Sequence, residues 1–295
     1  MYDFEFDYSN WRESKLAGHT KPSQIEVVSI ADPNRLSEQE LEQLCTFCQN
    51  ENFAIYRLDH PLLASKSSIQ SMANQVGMTT LDKNLCADND SISSLQVMDL
   101  GRARGYIPYT TKALNWHTDG YYNPINEHIR SFLLHCIQNA TTGGENMLIN
   151  HELIYIQLYD KDPELVAALM QTDALTIPAN IEHGVQVRAA QTGPVFYRDS
   201  STNTLQMRYT ARSRSIEWKQ DSHLHRAVSM IEELLTDSRY VLNYTLQPGE
   251  GLICNNILHG RSAFTNGNIP QQQRVMYRAR SYNRLFSGQQ NALSQ

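Results

Sequence analysis

The chain has 295 residues, 41% hydrophobic and 19% charged, which is enough to bury a full core without disulfide or metal staples. Its formal net charge is −6, from 25 Lys and Arg against 31 Asp and Glu, and this argues against a duplex nucleic-acid binder with its basic stripe. No apolar run reaches the roughly 18–20 residues of a membrane-spanning helix, and the acidic, aromatic start Met1–Tyr8 lacks the basic and apolar regions of a secretory signal. The expectation is a cytoplasmic protein with no membrane and no nucleic-acid partner.

Taken in chain order, residues 1–24 read as irregular. Ile25–Ile30 reads as a short strand. Ser37-Glu-Gln-Glu40 is a capping-box pattern that opens a helix through about Gln49. Asn52–Leu58 alternates like a strand, and Leu62–Val76 reads as a second helix. These elements form an N-terminal α/β layer. Cys45-Thr-Phe-Cys48 is formally a CxxC pair, but it lies in the first helical pattern with no second pair. Cys86, Cys136 and Cys254 are scattered, so five reduced, structural thiols are expected rather than a disulfide framework.

From Leu95 onward short strand-like runs dominate. They are Leu95–Asp99, Arg130–Ile137, Met147–Asn150, Ala174–Ile177, Gly184–Ala189, Val195–Arg198, Thr204–Tyr209, Tyr240–Leu246, Gly251–Asn255 and Arg274–Ser281. Turn signals at Gly143-Gly144, Gly193-Pro194, Pro248–Gly251 and Asn266-Gly267 separate them. Two helices interrupt the run. Asp162-Pro163 starts one over Glu164–Met170, and His223–Leu235 carries an apolar stripe at Leu224, Ala227, Val228, Ile231 and Leu234. The pattern predicts a mainly β domain of the sandwich or jelly-roll kind with inserted helices, spanning residues 1–295 as one unit.

Three segments carry chemistry. In Asn115-Trp-His117-Thr-Asp119, side chains two apart on a strand share a face, which sets an imidazole beside a carboxylate. Those are two of the three ligands of a 2-His-1-carboxylate triad on Fe(II). The HxD pair is weak alone. The second segment, Gly249–Phe264, runs from a Pro-Gly turn through an apolar strand to His259 before a glycine, as a rim loop that aims one His at a site would. In the third, period two places Arg274, Met276, Arg278 and Arg280 on one strand face. No carboxylate lies between Gly251 and Gln295 to pair with them, so inward-facing arginines there imply a bound anion.

Together, WHTD, GGEN, PGEGLICNNILHGRSAF and RVMYRA resemble the taurine dioxygenase family, which also includes γ-butyrobetaine hydroxylase. The resemblance runs from about Ser94 to Phe286 and more loosely back to Asn52. It implies an Fe(II)- and 2-oxoglutarate-dependent dioxygenase on a double-stranded β-helix (jelly-roll) core, using O2 and hydroxylating a small polar metabolite with release of succinate and CO2. By the same resemblance His117, Asp119 and His259 are the metal ligands. Arg274 matches the residue that grips the distal carboxylate of 2-oxoglutarate, and Asn146 stands where taurine dioxygenase has a threonine bonding that co-substrate. Arg278 matches a residue that reaches the substrate's anion. Asp119 disfavours halogenation, which needs a small residue at that position.

The substrate is left open. Tyr121-Tyr122-Asn123 follows the metal motif, and Tyr121 with Asn115 is a candidate for the pocket wall; the tyrosines read equally as core aromatics. Arg208, Arg212 and Arg214 form a local basic cluster that is either an anion attractor or a solvated face. Gly101-Arg-Ala-Arg-Gly105 is a candidate lid or a plain loop. The expected partner is a small anionic or zwitterionic molecule, and a homo-oligomer is left open. The alternatives are a metal-binding jelly roll without oxygen chemistry, and a Zn or Mn hydrolase or isomerase on the same ligands.

Overall fold

The computed structural model describes residues 7–82, 91–98, 106–212, 214 and 216–287. Cys86, Asp99 and the candidate lid Gly101–Gly105 lie outside them. The chain opens with a helix where an irregular segment is expected. Helix α1 (Tyr8–Gly18) is started by the Asp7 side chain, which accepts from Asn10 N. It has almost no apolar stripe; Tyr8 instead packs on Tyr159 and Trp11 meets Tyr155 edge to face, and Arg12 pairs with Asp160. Partners about 150 residues away hold it, so local pattern does not reveal it.

Strand β1 (Val27–Ile30) leads to α2 (Glu38–Glu51), whose Ser37–Glu40 capping box forms as expected. Asn52 ends α2 in the left-handed conformation, donating to Cys48 O, and the chain turns into β2 (Phe53–Leu58). A single turn at Pro61–Leu63 delays the next helix, α3 (Lys66–Gln75), to a second capping box at Ser65–Ser68. Then follow β3 (Ser93–Leu95), β4 (Leu114–His117), β5 (Ser131–Gln138), β6 (Thr142–Gly143) and β7 (Asn146–Ile149).

Helix α4 (His151–Lys161) is absent from the sequence reading for a physical reason. His151 to Ile156 are all buried, polar and apolar alike, so the segment shows no 3.6-residue apolar stripe. Helix α5 (Pro163–Leu169) begins, as expected, with Asp162 capping and Pro163 in the first turn. The insert continues through β8 (Leu175–Ile177), the hairpin β9 (Asn180–Glu182) and β10 (Val185–Arg188), β11 (Gln191–Gly193), β12 (Phe196–Asp199), β13 (Thr204–Met207), β14 (Glu217–Trp218) and α6 (Ser222–Leu234). Strands β15 (Leu242–Tyr244), β16 (Glu250–Cys254), β17 (Leu258–Arg261), β18 (Phe264–Thr265) and β19 (Val275–Ser281) complete the chain.

The elements are mainly β. The larger sheet has the order β1-β2-β16-β5-β19-β3, with β1 parallel to β2 and the other pairs antiparallel. The smaller has the order β15-β7-β17-β4. One apolar cluster joins them: Phe53, Ile55, Phe132, Leu134, Leu252 and Met276 of the larger sheet meet Leu148 and Leu242 of the smaller. The opposite face of the larger sheet, with Tyr56, Leu133, Ile253 and Ala279, packs on α2 and α3. The outer side of the smaller sheet, at Ile149 and Leu258, packs on α4, α5 and α6. Residues of β5 and β16 alternate between two cores, which is why those strands read as largely apolar runs. None of the helices among the described residues is long and apolar enough to cross a membrane.

Candidate metal centre

The smaller sheet assembles the site. Strand β17 lies between β7 and β4, and its register sets His259 opposite His117 on β4. The two imidazole centroids are 4.3 Å apart. Asp119 stands just past the end of β4, with Oδ1 3.8 Å from His117 Nε2. One ligand atom each from His117, Asp119 and His259 fall within 4.8 Å of one another, and this is the one such cluster of His, Cys, Asp and Glu among the described residues.

Both histidines are presented in the same way. His117 Nδ1 is 2.8 Å from Asn115 O, and His259 Nδ1 is 2.9 Å from Ile257 O. A carbonyl only accepts, so each Nδ1 carries the proton and each Nε2 keeps its lone pair. That is the tautomer a metal needs, fixed by the backbone two residues upstream. Asp119 is buried and its Oδ2 has no hydrogen-bond partner. A buried carboxylate oxygen without a donor costs on the order of 1–3 kcal/mol, and a cation at that point would offset it. The donor set, two neutral imidazoles and one carboxylate with a free oxygen, therefore fits Fe(II).

The electrostatics keep the donors in the right form. Burial pushes the Asp119 carboxyl up, but Arg278, His117, Arg280 and His259 outweigh it and hold it well below the usual carboxylate range. Burial lowers His259 to about 3. Asp119 is thus ionised and His259 neutral at neutral pH.

Asn256 was not anticipated as part of this site. It sits in the left-handed region at φ 51, three residues before His259, and its side chain is bound on both ends. Its Oδ1 accepts from Asp119 N at 2.7 Å, and its Nδ2 donates to Asp119 O at 3.0 Å and to Ile129 O at 2.7 Å. Asn256 thereby ties the carboxylate segment to the segment carrying the second histidine. Gly120 follows Asp119 at φ 67, where a Cβ would stand 2.7 Å from Ile129 Cγ1, so the turn is confined to glycine. The Asn-Asn at the end of β16 was the visible signal, but its partners lie more than 120 residues away.

The arginines divide in a way the sequence does not show. Arg280 is not awaiting an anion. Its Nη2 donates to Asp82, its Nη1 lies 3.8 Å from Asp119 Oδ1, and Asp82 comes from before β3. Arg278 Nη1 is 4.0 Å from Asp119 Oδ1. Only Arg274 keeps the expected isolation: it is 5% exposed and pairs with no carboxylate among the described residues. Burial lowers it to about 10. It precedes β19 and is separated from the regular face by a register shift between Val275 and Met276, so simple period-two counting does not place it. Its guanidinium lies over the Phe264 ring, and a Cβ on Gly144 would come within 3.2 Å of its Nε. The Gly143-Gly144 turn, at φ 74 and 77, thus makes room for this residue. Asn146 begins β7, opposite Arg261, and is buried with Nδ2 donating to Tyr244 O. Asn115 is exposed, and only its carbonyl acts, on His117.

Tyr121 and Tyr122 meet edge to face at 5.1 Å, and Tyr121 meets His117 at 6.4 Å. The basic cluster splits. Arg208 is buried and donates to the carbonyls of Tyr121, Leu175, Gly193 and Gln191, a structural role. Arg212 is exposed and lies over Tyr121.

A model of the taurine catabolism dioxygenase TauD, TfdA family matches residues 14–280. The chain belongs to this family. By family it is a dioxygenase of the non-haem iron, 2-oxoglutarate-dependent kind. This dioxygenase is 33% identical over 176 residues to a uridine-5'-phosphate dioxygenase of an Amycolatopsis species, covering 58% of this chain and 61% of that one. A trimethyllysine dioxygenase of Meyerozyma guilliermondii is 27% identical over 166 residues, covering 53% of this chain and 40% of that one. The matched segments thus span about three fifths and two fifths of those relatives. An asparagine oxygenase solved with Fe(II), 3-hydroxyasparagine and succinate has a TM-score of 0.61 at 14% identity, over 93% of this chain and 91% of that one. The oxygenase OrfP, solved with Fe and α-ketoglutaric acid, gives 0.59 at 15%, over 84% and 80%. At these identities the two structures speak for the fold.

Proposed function

We propose that the two sheets form a jelly-roll core in which His117, Asp119 and His259 hold Fe(II), and that the enzyme hydroxylates a C–H bond of a small anionic metabolite with release of succinate and CO2. The observation that carries the reading is the ligand cluster: Nε2 of both histidines is left free by backbone bonds to Nδ1, and Asp119 Oδ2 has no partner. Three protein ligands leave open positions for a chelating co-substrate and O2, and the iron supplies the oxidising chemistry when bound.

Arg274 would take the distal carboxylate of 2-oxoglutarate, because a buried guanidinium without an acid is suited to a bidentate carboxylate. Asn146 would contribute an amide from β7. Arg278 and Arg280 hold Asp119 ionised and aimed, and Asn256 fixes its backbone. The protein's part is positioning.

For the substrate, the similarity to uridine-5'-phosphate dioxygenases favours an anion of the nucleoside 5'-phosphate type, such as uridine 5'-phosphate. A quaternary ammonium is disfavoured. It would need an open aromatic face, but Arg212 and Arg188 stand over Tyr121 and Tyr122.

Two measurements test this. Anaerobic Fe(II) and 2-oxoglutarate are expected to give a visible charge-transfer band, lost in His117→Ala; a folded, iron-loaded protein without the band refutes the oxygenase reading. A panel of uridine 5'-phosphate, uridine, taurine and trimethyllysine is then followed by succinate release above the substrate-free rate. Stimulation confined to trimethyllysine would reverse the charge assignment.

A further inference from the structure

The charge beside the tyrosine pair carries a narrower inference, which rests on the oxygenase reading. The Arg212 guanidinium carbon is 6.0 Å from the Tyr121 ring centroid, and that of Arg188 is 5.7 Å from the Tyr122 centroid. Because Tyr121 also meets His117 edge to face, a wall of alternating aromatic and cationic groups runs outward from the ligand cluster. The fields of Arg212 and Arg188 both reach the Tyr121 phenol, where they oppose the rise caused by its burial. The two cations thus stand over adjacent rings whose centroids are 5.1 Å apart.

Neither cation is balanced. Arg188 donates to Pro178 O and Ala189 O, neutral acceptors that fix a guanidinium without neutralising it. Neither Arg188 nor Arg212 forms an ion pair with a carboxylate among the described residues, and Arg212 lies over the Tyr121 ring. The neighbouring arginines are accounted for: Arg208 by four carbonyls, Arg130 by Asp199 and Arg280 by Asp82. The backbone before Arg212 is held to the site, and Arg188 stands on the β9–β10 hairpin. Arg188 ends β10. Arg212 follows Thr210, which bridges to His117, and Ala211, whose N–H donates to Trp116 O. Arg188 is half-buried and Arg212 exposed, so the locus opens to solvent, where a substrate would enter.

We infer that Arg188 and Arg212 form an oxoanion subsite beside the metal centre that takes the dianionic phosphate of a phosphate monoester. Two uncompensated guanidiniums match two negative charges, and a forked guanidinium binds phosphate oxygens bidentately. The subsite is separate from the Arg274 clamp, which serves the co-substrate, and from Arg278, whose charge is engaged by Asp119.

The test reads binding as well as turnover. The full chain, loaded anaerobically with Mn(II) and 2-oxoglutarate, is titrated with uridine 5'-phosphate and with inorganic phosphate, followed by 31P relaxation, and with uridine, followed by 1H signals. Arg188→Gln and Arg212→Gln change side chains outside the core and are expected to fold. Each should weaken uridine 5'-phosphate by about ten- to hundred-fold, as loss of a charge-assisted bond does, and leave uridine and 2-oxoglutarate unchanged. Wild-type affinity in both variants overturns the subsite, as does a wild-type protein that binds neither phosphate compound. The charge-transfer band with Fe(II) separates the two readings. A band without phosphate binding sinks the subsite alone. Phosphate binding that both variants lose, in a protein that gives no band, sinks the oxygenase reading alone.

Discussion

Replacing Asn256 by alanine isolates the part of the site that the metal ligands themselves do not reveal. The side chain makes three buried hydrogen bonds, one accepted from Asp119 N and two donated to Asp119 O and Ile129 O. At about 1 kcal/mol net for each bond, and about 1 kcal/mol for placing alanine in the left-handed conformation that asparagine tolerates, the variant should lose about 4 kcal/mol of stability. The loss is local, at the joint between the Asp119 and His259 segments, so it should also appear as weaker metal binding. Disturbing groups that orient metal ligands typically weakens affinity about 10–100-fold. The assay is anaerobic titration with Fe(II) at saturating 2-oxoglutarate, reading the charge-transfer band, beside urea unfolding of the metal-free protein. Asn256→Asp is the informative partner. It keeps the acceptor for Asp119 N–H but turns the donor end against two carbonyls and adds a charge beside Asp119. It should therefore bind Fe(II) no better than the alanine variant. Wild-type iron affinity in Asn256→Ala at a clearly lowered unfolding midpoint would refute the positioning role and leave only a structural one.

Two further outcomes are expected. Arg274→Ala should raise the 2-oxoglutarate KM by about 10-fold or more, since a charge-assisted pair with a carboxylate contributes about 1.5–3 kcal/mol, while Fe(II) affinity stays the same; an unchanged KM would place the carboxylate elsewhere. Stability should fall on acidification. Burial lowers His128, His135 and His151 to about 4 each, below their ordinary 6.5. Above pH 6.5 both folded and unfolded forms are neutral and nothing changes. Below it the unfolded chain takes up protons that the folded chain refuses, so stability declines between about pH 6.5 and 4. At pH 5.5 the loss is on the order of 1 kcal/mol per histidine. Equal urea midpoints at pH 7 and 5.5 would contradict this.

The sequence by itself determined the features whose causes are local. The Ser37–Glu40 box, the Asp162-Pro163 start of α5 and the alternating strands depend on neighbours a few residues away, whereas Asp119 lies past the end of β4 and is set beside His117 with the help of Asn256. The order and spacing of the histidines and of Arg274 pointed to the family, because in the proposed reading those residues meet one iron and one carboxylate. Tertiary structure decided whatever depends on contacts across the chain. Helix α1 exists because Tyr8 and Trp11 find Tyr155, and α4 is hidden because it is buried on every side. Arg280 looked like an anion binder only because Asp82 lies some 200 residues before it. The basic cluster near β13 resolved into a buried strut, Arg208, and an outward cation, Arg212, only once the carbonyls around each were in place. Charge in a sequence is a count, and whether it is available to a substrate depends on which other groups the fold brings within a few ångströms.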